Sequence, residues 1–95
     1  MLKELNPLLH SQLRLAVMSI LLSVEEAEFV YLKEQTRATA GNLSVQLDKL
    51  SEAGYIEIEK SIVGKKPRTV CRMTLKGREA IAEYVEALRG YFLGL

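Results

Sequence analysis

Seven basic side chains fall within nineteen residues of this chain, residues 60–78, and could neutralise a polyanion. They are Lys60, Lys65, Lys66, Arg68, Arg72, Lys76 and Arg78, with no Asp or Glu among them. The flanking residues 1–59 and 79–95 are both net acidic, so the whole chain has a formal net charge of only +1. Positive charge concentrated in this way favours binding to nucleic acid, although such a run is equally typical of a solvated loop.

A second set of residues has the types and spacing needed to contact base edges. Leucines at i, i+4 and i+7 from Leu43 predict a helix over residues 40–53 that turns its leucines inward. Small residues near a helix start allow close approach to a major groove, and Asn42 or Gln46 could pair with adenine. Polar residues also populate solvated helix surfaces, but we favour DNA contact for this face as a set. Its members are Thr39, Ala40, Gly41, Asn42, Ser44, Val45, Gln46 and Lys49.

The sequence contains few of the residues that catalysis or metal binding would need. The chain has one cysteine, Cys71, and one histidine, His10, which excludes an internal disulfide and the cysteine-based zinc sites. The two lie far apart in sequence, and no convergent set of titratable residues is visible. We therefore predict no enzyme activity, cofactor or metal. Cys71 is expected to be a packing residue on a strand, and His10 a residue at a helix start.

Ninety-five residues make one domain, residues 1–95, of ordinary globular composition. The N-terminus lacks the pattern of a signal peptide. The longest nearly apolar stretch, Leu13 to Val24, is interrupted by Arg14 and is too short to span a bilayer. These features predict a cytoplasmic protein without a membrane partner.

The order of predicted elements indicates an α+β, mostly helical fold. Ser11, Thr39 and Thr74 are suitable helix N-caps, and Gly54 is a helix stop. Alternating apolar and polar residues predict two strands around a Gly- and Pro-containing turn, residues 64–67. The elements predicted are helix 13–23, acidic loop 25–28, helix 29–35, turn 36–38, helix 40–53, strands 55–62 and 69–74, and helix 75–92. This order is a winged helix-turn-helix: helix, helix, turn, helix, two-stranded β wing and C-terminal helix.

The tip of the predicted wing carries cations suited to DNA backbone or the minor groove, where negative potential is concentrated. The proline stiffens the loop and removes a backbone donor, which suits a tip or an edge better than a central strand. The predicted wing contacts are Lys65, Lys66, Pro67 and Arg68.

Two residue runs, Gly41–Ile56 and Gly64–Gly77, resemble the small winged-helix transcriptional regulators of the MarR/ArsR type. The resemblance covers roughly residues 8–90 and is strongest to the compact stand-alone group common in archaea. It implies a homodimeric transcription factor with helix 40–53 in the major groove and the wing on flanking backbone. Thr36-Arg37-Ala38 replaces the family's usual Leu-Gly-Leu turn, which leaves the angle between the paired helices open. The Cys and His clusters of ArsR-type metal sensors are missing, so metal sensing is not implied.

Both ends of the chain carry apolar residues beyond what one small core needs. We predict that residues 1–10 and 79–95 meet the same elements of a second copy around a two-fold axis. The predicted dimer contacts are Leu2, Leu5, Leu8, Leu9, Ile81, Tyr84, Val85, Leu88, Tyr91, Phe92 and Leu95.

The sequence thus favours a homodimeric, sequence-specific regulator that binds double-stranded DNA, with the effector ligand left open. The alternative is a winged-helix module that binds protein and not DNA. That alternative predicts an exposed apolar patch over residues 42–49 and no basic wing, nearly the reverse of what the sequence contains.

Overall fold

Four α-helices and a three-stranded antiparallel sheet make up the computed structural model, which describes residues 2–93. In chain order the elements are α1 (Gln12–Leu22), β1 (Ala27–Glu28), α2 (Phe29–Thr36), α3 (Ala40–Glu52), β2 (Ile56–Val63), β3 (Lys66–Met73) and α4 (Leu75–Phe92). The winged helix-turn-helix prediction is confirmed. Helices α2 and α3 are the paired helices, and the β2–β3 hairpin is the wing.

Hydroxyl side chains set three of the helix starts, as the sequence predicts. The Ser11 hydroxyl accepts from the Arg14 amide at 3.4 Å, and the Thr39 hydroxyl accepts from the Asn42 amide at 3.2 Å. Thr74 does the same at the start of α4, at 3.0 Å from the amide nitrogen of residue 77. Each cap satisfies one of the backbone donors that a helix start leaves unpaired.

Strand β1 is a correction to the sequence prediction, which had an acidic loop over residues 25–28. Its two residues pair antiparallel with β3, Ala27 opposite Cys71 and Glu28 opposite Val70, and the strand order is β1-β3-β2. Strand β3 is therefore central at this point, and side chains on both of its faces, Val70 and Cys71, are buried. Two residues are too few for alternation to predict a strand.

The turn of the wing is shorter than predicted. Val63 pairs with Lys66, so only Gly64, with φ of +66°, and Lys65 form the loop. The residues 66–68, predicted to lie at the tip, belong to β3. Pro67 lies opposite Ile62, beyond the part of β3 that pairs with β1. Its missing N–H therefore breaks no backbone hydrogen bond to a third strand.

The turn between the paired helices is closed without a glycine. Arg37 ends α2 in the left-handed conformation, with φ of 59° and ψ of 22°, and its amide donates to the Lys33 carbonyl at 2.9 Å. The Thr36 hydroxyl donates to the Leu32 carbonyl at 2.7 Å. Arg37 therefore adopts the backbone conformation that glycine favours at a helix C-terminus.

The hydrophobic core lies between the helices and the inner face of the sheet. It includes Leu9, Ile81 and Tyr84, which the sequence analysis placed at a dimer interface. That part of the prediction is wrong, because these side chains are at most 5% exposed within the protomer. The arm, residues 2–10, packs on its own chain: the Asn6 amide donates to the Tyr55 hydroxyl at 3.0 Å, and His10 Nδ1 lies 3.0 Å from the Tyr84 hydroxyl. None of the helices within residues 2–93 could cross a membrane.

Candidate nucleic-acid interface

Helix α3 presents the predicted contact face to solvent. Its leucines are buried, whereas all but one of the eight predicted contacts are exposed and Gln46 is half-buried. Apart from its own helical turn, a Cβ built on Gly41 would meet no heavy atom of residues 2–93 within 4 Å, so packing within the described structure does not require a glycine here. Because the N-terminal end of a helix carries partial positive charge, this end of α3 is suited to approach phosphates.

The two amides of this face are hydrogen-bonded to each other, and the amide of Gln46 also accepts from a residue that the sequence analysis missed. Gln46 Nε2 donates to Asn42 Oδ1 at 3.0 Å. Arg14 Nη1 donates to Gln46 Oε1, and Arg14 Nε donates to the Leu8 carbonyl at 2.5 Å. Arg14 lies on α1, 32 positions before Gln46, so no local spacing could have indicated the contact.

The outer face of the sheet neutralises part of the basic segment. Arg68 Nε lies 2.6 Å from Glu28 Oε1, and Arg72 Nη2 lies 2.7 Å from Glu59 Oε1 and 2.9 Å from Glu26 Oε1. Hydrogen bonds to Glu28 and to Glu59 raise the pKa of Arg68 and of Arg72, respectively. Arg68 is thus on a strand and ion-paired, and not free at the tip of the wing as predicted. Its partners could not be foreseen without β1.

The cations that remain at the end of the wing are Lys65, in the loop, and Lys66, the first residue of β3. Both are exposed, and within residues 2–93 neither makes an ion pair. Lys76, by contrast, has its ammonium 5.9 Å from the centroid of the Tyr55 ring. The candidate interface therefore joins the exposed face of α3 to two lysines at the end of the adjoining hairpin.

The remaining predicted dimer residues differ in exposure. Leu5, Leu8 and Leu88 are half-buried and pack against the protomer core. Leu95 lies outside the described residues. The residues with exposed apolar side chains near the two chain ends are Leu2, Val85, Tyr91, Phe92 and Leu93.

Cys71 is an unsuitable nucleophile in this setting. Its side chain is fully buried, and burial raises the pKa of the thiol to about 11. Among residues 2–93 there is no group of three or more His, Cys, Asp or Glu side chains that could hold a metal ion.

Comparison with known proteins agrees with the architecture. Residues 13–92 match the family model of the winged helix DNA-binding domain. An uncharacterized protein of Methanocaldococcus jannaschii is 38% identical over 76 residues, which cover 80% of this chain and 83% of the relative. The solved structure of a transcriptional regulator homologue from Pyrococcus horikoshii is 28% identical, with a TM-score of 0.84 over 92% of this chain and 86% of that one.

More distant structures share the fold alone. Bacillus subtilis PadR, solved in complex with operator DNA, is 18% identical, with a TM-score of 0.69 over 80% of this chain and 46% of that one. The structural neighbours are MarR/PadR-type transcriptional regulators, in keeping with the resemblance seen in the sequence. By its family-model match over residues 13–92, the chain belongs to the winged helix DNA-binding domain family.

Proposed function

We propose that this protein is a sequence-specific, double-stranded DNA-binding transcriptional regulator that acts as a homodimer in the cytoplasm and has no enzyme activity. Helix α3 enters the major groove, and the wing lies on flanking backbone or in the minor groove. The carrying observation is the exposed, small and polar start of α3, where packing within residues 2–93 does not require the glycine at position 41. Operator DNA bound to PadR, a protein of the same fold, supports this reading.

Two contributions to affinity follow from this arrangement. Phosphate contacts by Lys65 and Lys66 act on every sequence alike, because each neutralised phosphate releases condensed counterions. Arg68 contributes less, since it would have to leave Glu28 to reach a phosphate. Asn42, supported by Gln46, reads base edges, so Asn42→Ala costs about 1–3 kcal/mol on a preferred site and little on random DNA.

The homodimer rests on the exposed apolar side chains near the chain ends. Phe92 is 79% exposed and Val85 48%, both on α4, and Leu2 of the arm is 50% exposed. A two-fold axis between copies would set two α3 helices about 34 Å apart, one turn of DNA. The substitution Phe92→Glu is expected to convert the dimer into a monomer, which light scattering would detect as a halved molecular mass. A parent protein that is a monomer at micromolar concentration would contradict the dimer.

Salt-dependent binding to random duplex separates this function from the alternative, a module that binds protein. The double variant Lys65→Ala/Lys66→Ala should reduce the slope of log affinity against log salt by about 1.8. A matched control, Lys3→Ala/Lys33→Ala, removes two exposed lysines of the arm and of α2, outside the candidate interface, and should reduce the slope less. A parent that binds no duplex at low salt would favour the protein-binding alternative.

A further inference from the structure

We propose that Arg14 is a positioning residue that determines base specificity by fixing, through Gln46, which end of the Asn42 amide faces the DNA. This inference rests on the proposed function, since it assigns a role within the same α3 surface. Arg14 itself need not touch a base.

The direction of the hydrogen bonds follows from the chemistry of the first residue. A guanidinium has only donors, so the Gln46 atom that meets Arg14 must be its oxygen. The other end of that amide, its NH2 group, then points to Asn42 and requires an acceptor there, which is Oδ1. The NH2 group of Asn42 is the end left without a partner in this chain of bonds.

Arg14 is itself held in place. Its Nε donates to the Leu8 carbonyl of the arm at 2.5 Å, and its backbone amide donates to the Ser11 hydroxyl at 3.4 Å. The half-buried side chain thus links the arm and α1 to the DNA-facing surface of α3. A fixed guanidinium at one end polarises both amides in one direction, as expected for consecutive hydrogen bonds.

A specific base preference follows. An outward NH2 group donates to a base acceptor in the major groove: N7 or O6 of guanine, N7 of adenine or O4 of thymine. Cytosine offers only its N4 donor there, so it is disfavoured at the base that Asn42 contacts. Without Arg14 both amides could reverse, and the discrimination against cytosine would be lost.

Two variants test the inference, with selection of binding sites from random duplex as the readout. Arg14→Met removes the donors and is expected to reduce discrimination between the selected site and its cytosine variant about tenfold, the size of one specific base contact. Arg89→Met is the matched control, because it removes the same charge from an exposed position on α4. Gln46→Glu accepts from both Arg14 and Asn42, so it turns the Asn42 oxygen outward and shifts the preference towards adenine or cytosine, whose amino groups donate.

Side-chain amide resonances of the DNA-free protein provide a second readout that a general loss of stability would not mimic. Arg14→Met should shift the Asn42 NH2 resonances, whereas Arg89→Met should leave them in place. Unchanged Asn42 resonances in Arg14→Met, or an unchanged selected site in both Arg14→Met and Gln46→Glu, would overturn the inference. Failure of the proposed function is a different result, since the parent itself would then bind no duplex.

Discussion

Replacing Gly41 by alanine should stabilise the fold and weaken DNA binding at the same time. Gly41 is the second residue of α3, and its backbone φ is not positive. A Cβ added there meets no heavy atom within 4 Å outside its own helical turn, so the methyl group causes no clash in the free protein. Alanine is favoured over glycine in a helix, and it also lowers the entropy of the unfolded chain.

The size of each change, in stability and in DNA affinity, can be estimated for Gly41→Ala. The free energy of unfolding should rise by about 0.5–1 kcal/mol, which in a domain of this size raises Tm by about 2–8 °C. If α3 lies in a major groove, the same methyl group occupies space that the backbone needs for close approach. We expect affinity for the selected duplex to fall about tenfold, equivalent to about 1.4 kcal/mol.

Thermal unfolding and fluorescence anisotropy with labelled duplex measure the two effects on one sample. Ser19→Ala is the control, because it also introduces alanine at an exposed helical position but lies on α1. It should leave affinity unchanged. A Gly41→Ala protein that is more stable and binds the duplex as well as the parent would refute the placement of this face against DNA.

Three other changes have defined outcomes. Gly77→Ala should lower the free energy of unfolding by about 3 kcal/mol in urea titrations, because the new Cβ would lie 2.2 Å from the Tyr55 carbonyl oxygen; an unchanged midpoint would show that the backbone yields freely. Burial raises the pKa of Cys71 to about 11 from 9.0, so the folded state retains a proton that the unfolded chain releases. Stability should therefore be unaffected by this group below pH 9 and fall by up to about 2–3 kcal/mol as the pH rises towards 11, a loss that Cys71→Ala should abolish. Arg37→Gly should raise Tm by a few degrees, because it relieves the left-handed conformation of a residue with a Cβ; a lower Tm would mean that the arginine side chain stabilises the turn.

Local patterns in the sequence were sufficient for most of the fold. The leucine spacing of α3 and the hydroxyl caps at Ser11, Thr39 and Thr74 are determined within one or two helical turns, so they are readable without tertiary information. The helix-turn-helix prediction holds although the turn has no glycine, because Arg37 adopts the left-handed conformation at modest cost.

What could not be predicted depends on contacts between distant parts of the chain. Strand β1 exists only because β3 pairs with it, and its one carboxylate, Glu28, then holds Arg68 from 40 positions away. The sequence analysis predicted Leu9 to contact a second copy, but the arm folds back and Leu9 is buried in the protomer core. The link from Arg14 to Gln46 likewise joins two helices that only the tertiary fold brings together.

Titration of ¹⁵N-labelled protein with a duplex selected from random sequence tests the placement of α3 most directly. We expect the largest backbone amide shifts at residues 40–46 of α3 and at Lys65 and Lys66 of the wing, with little change along α4. Shifts concentrated on α4 and the arm, with residues 40–46 unmoved, would contradict recognition of DNA by α3.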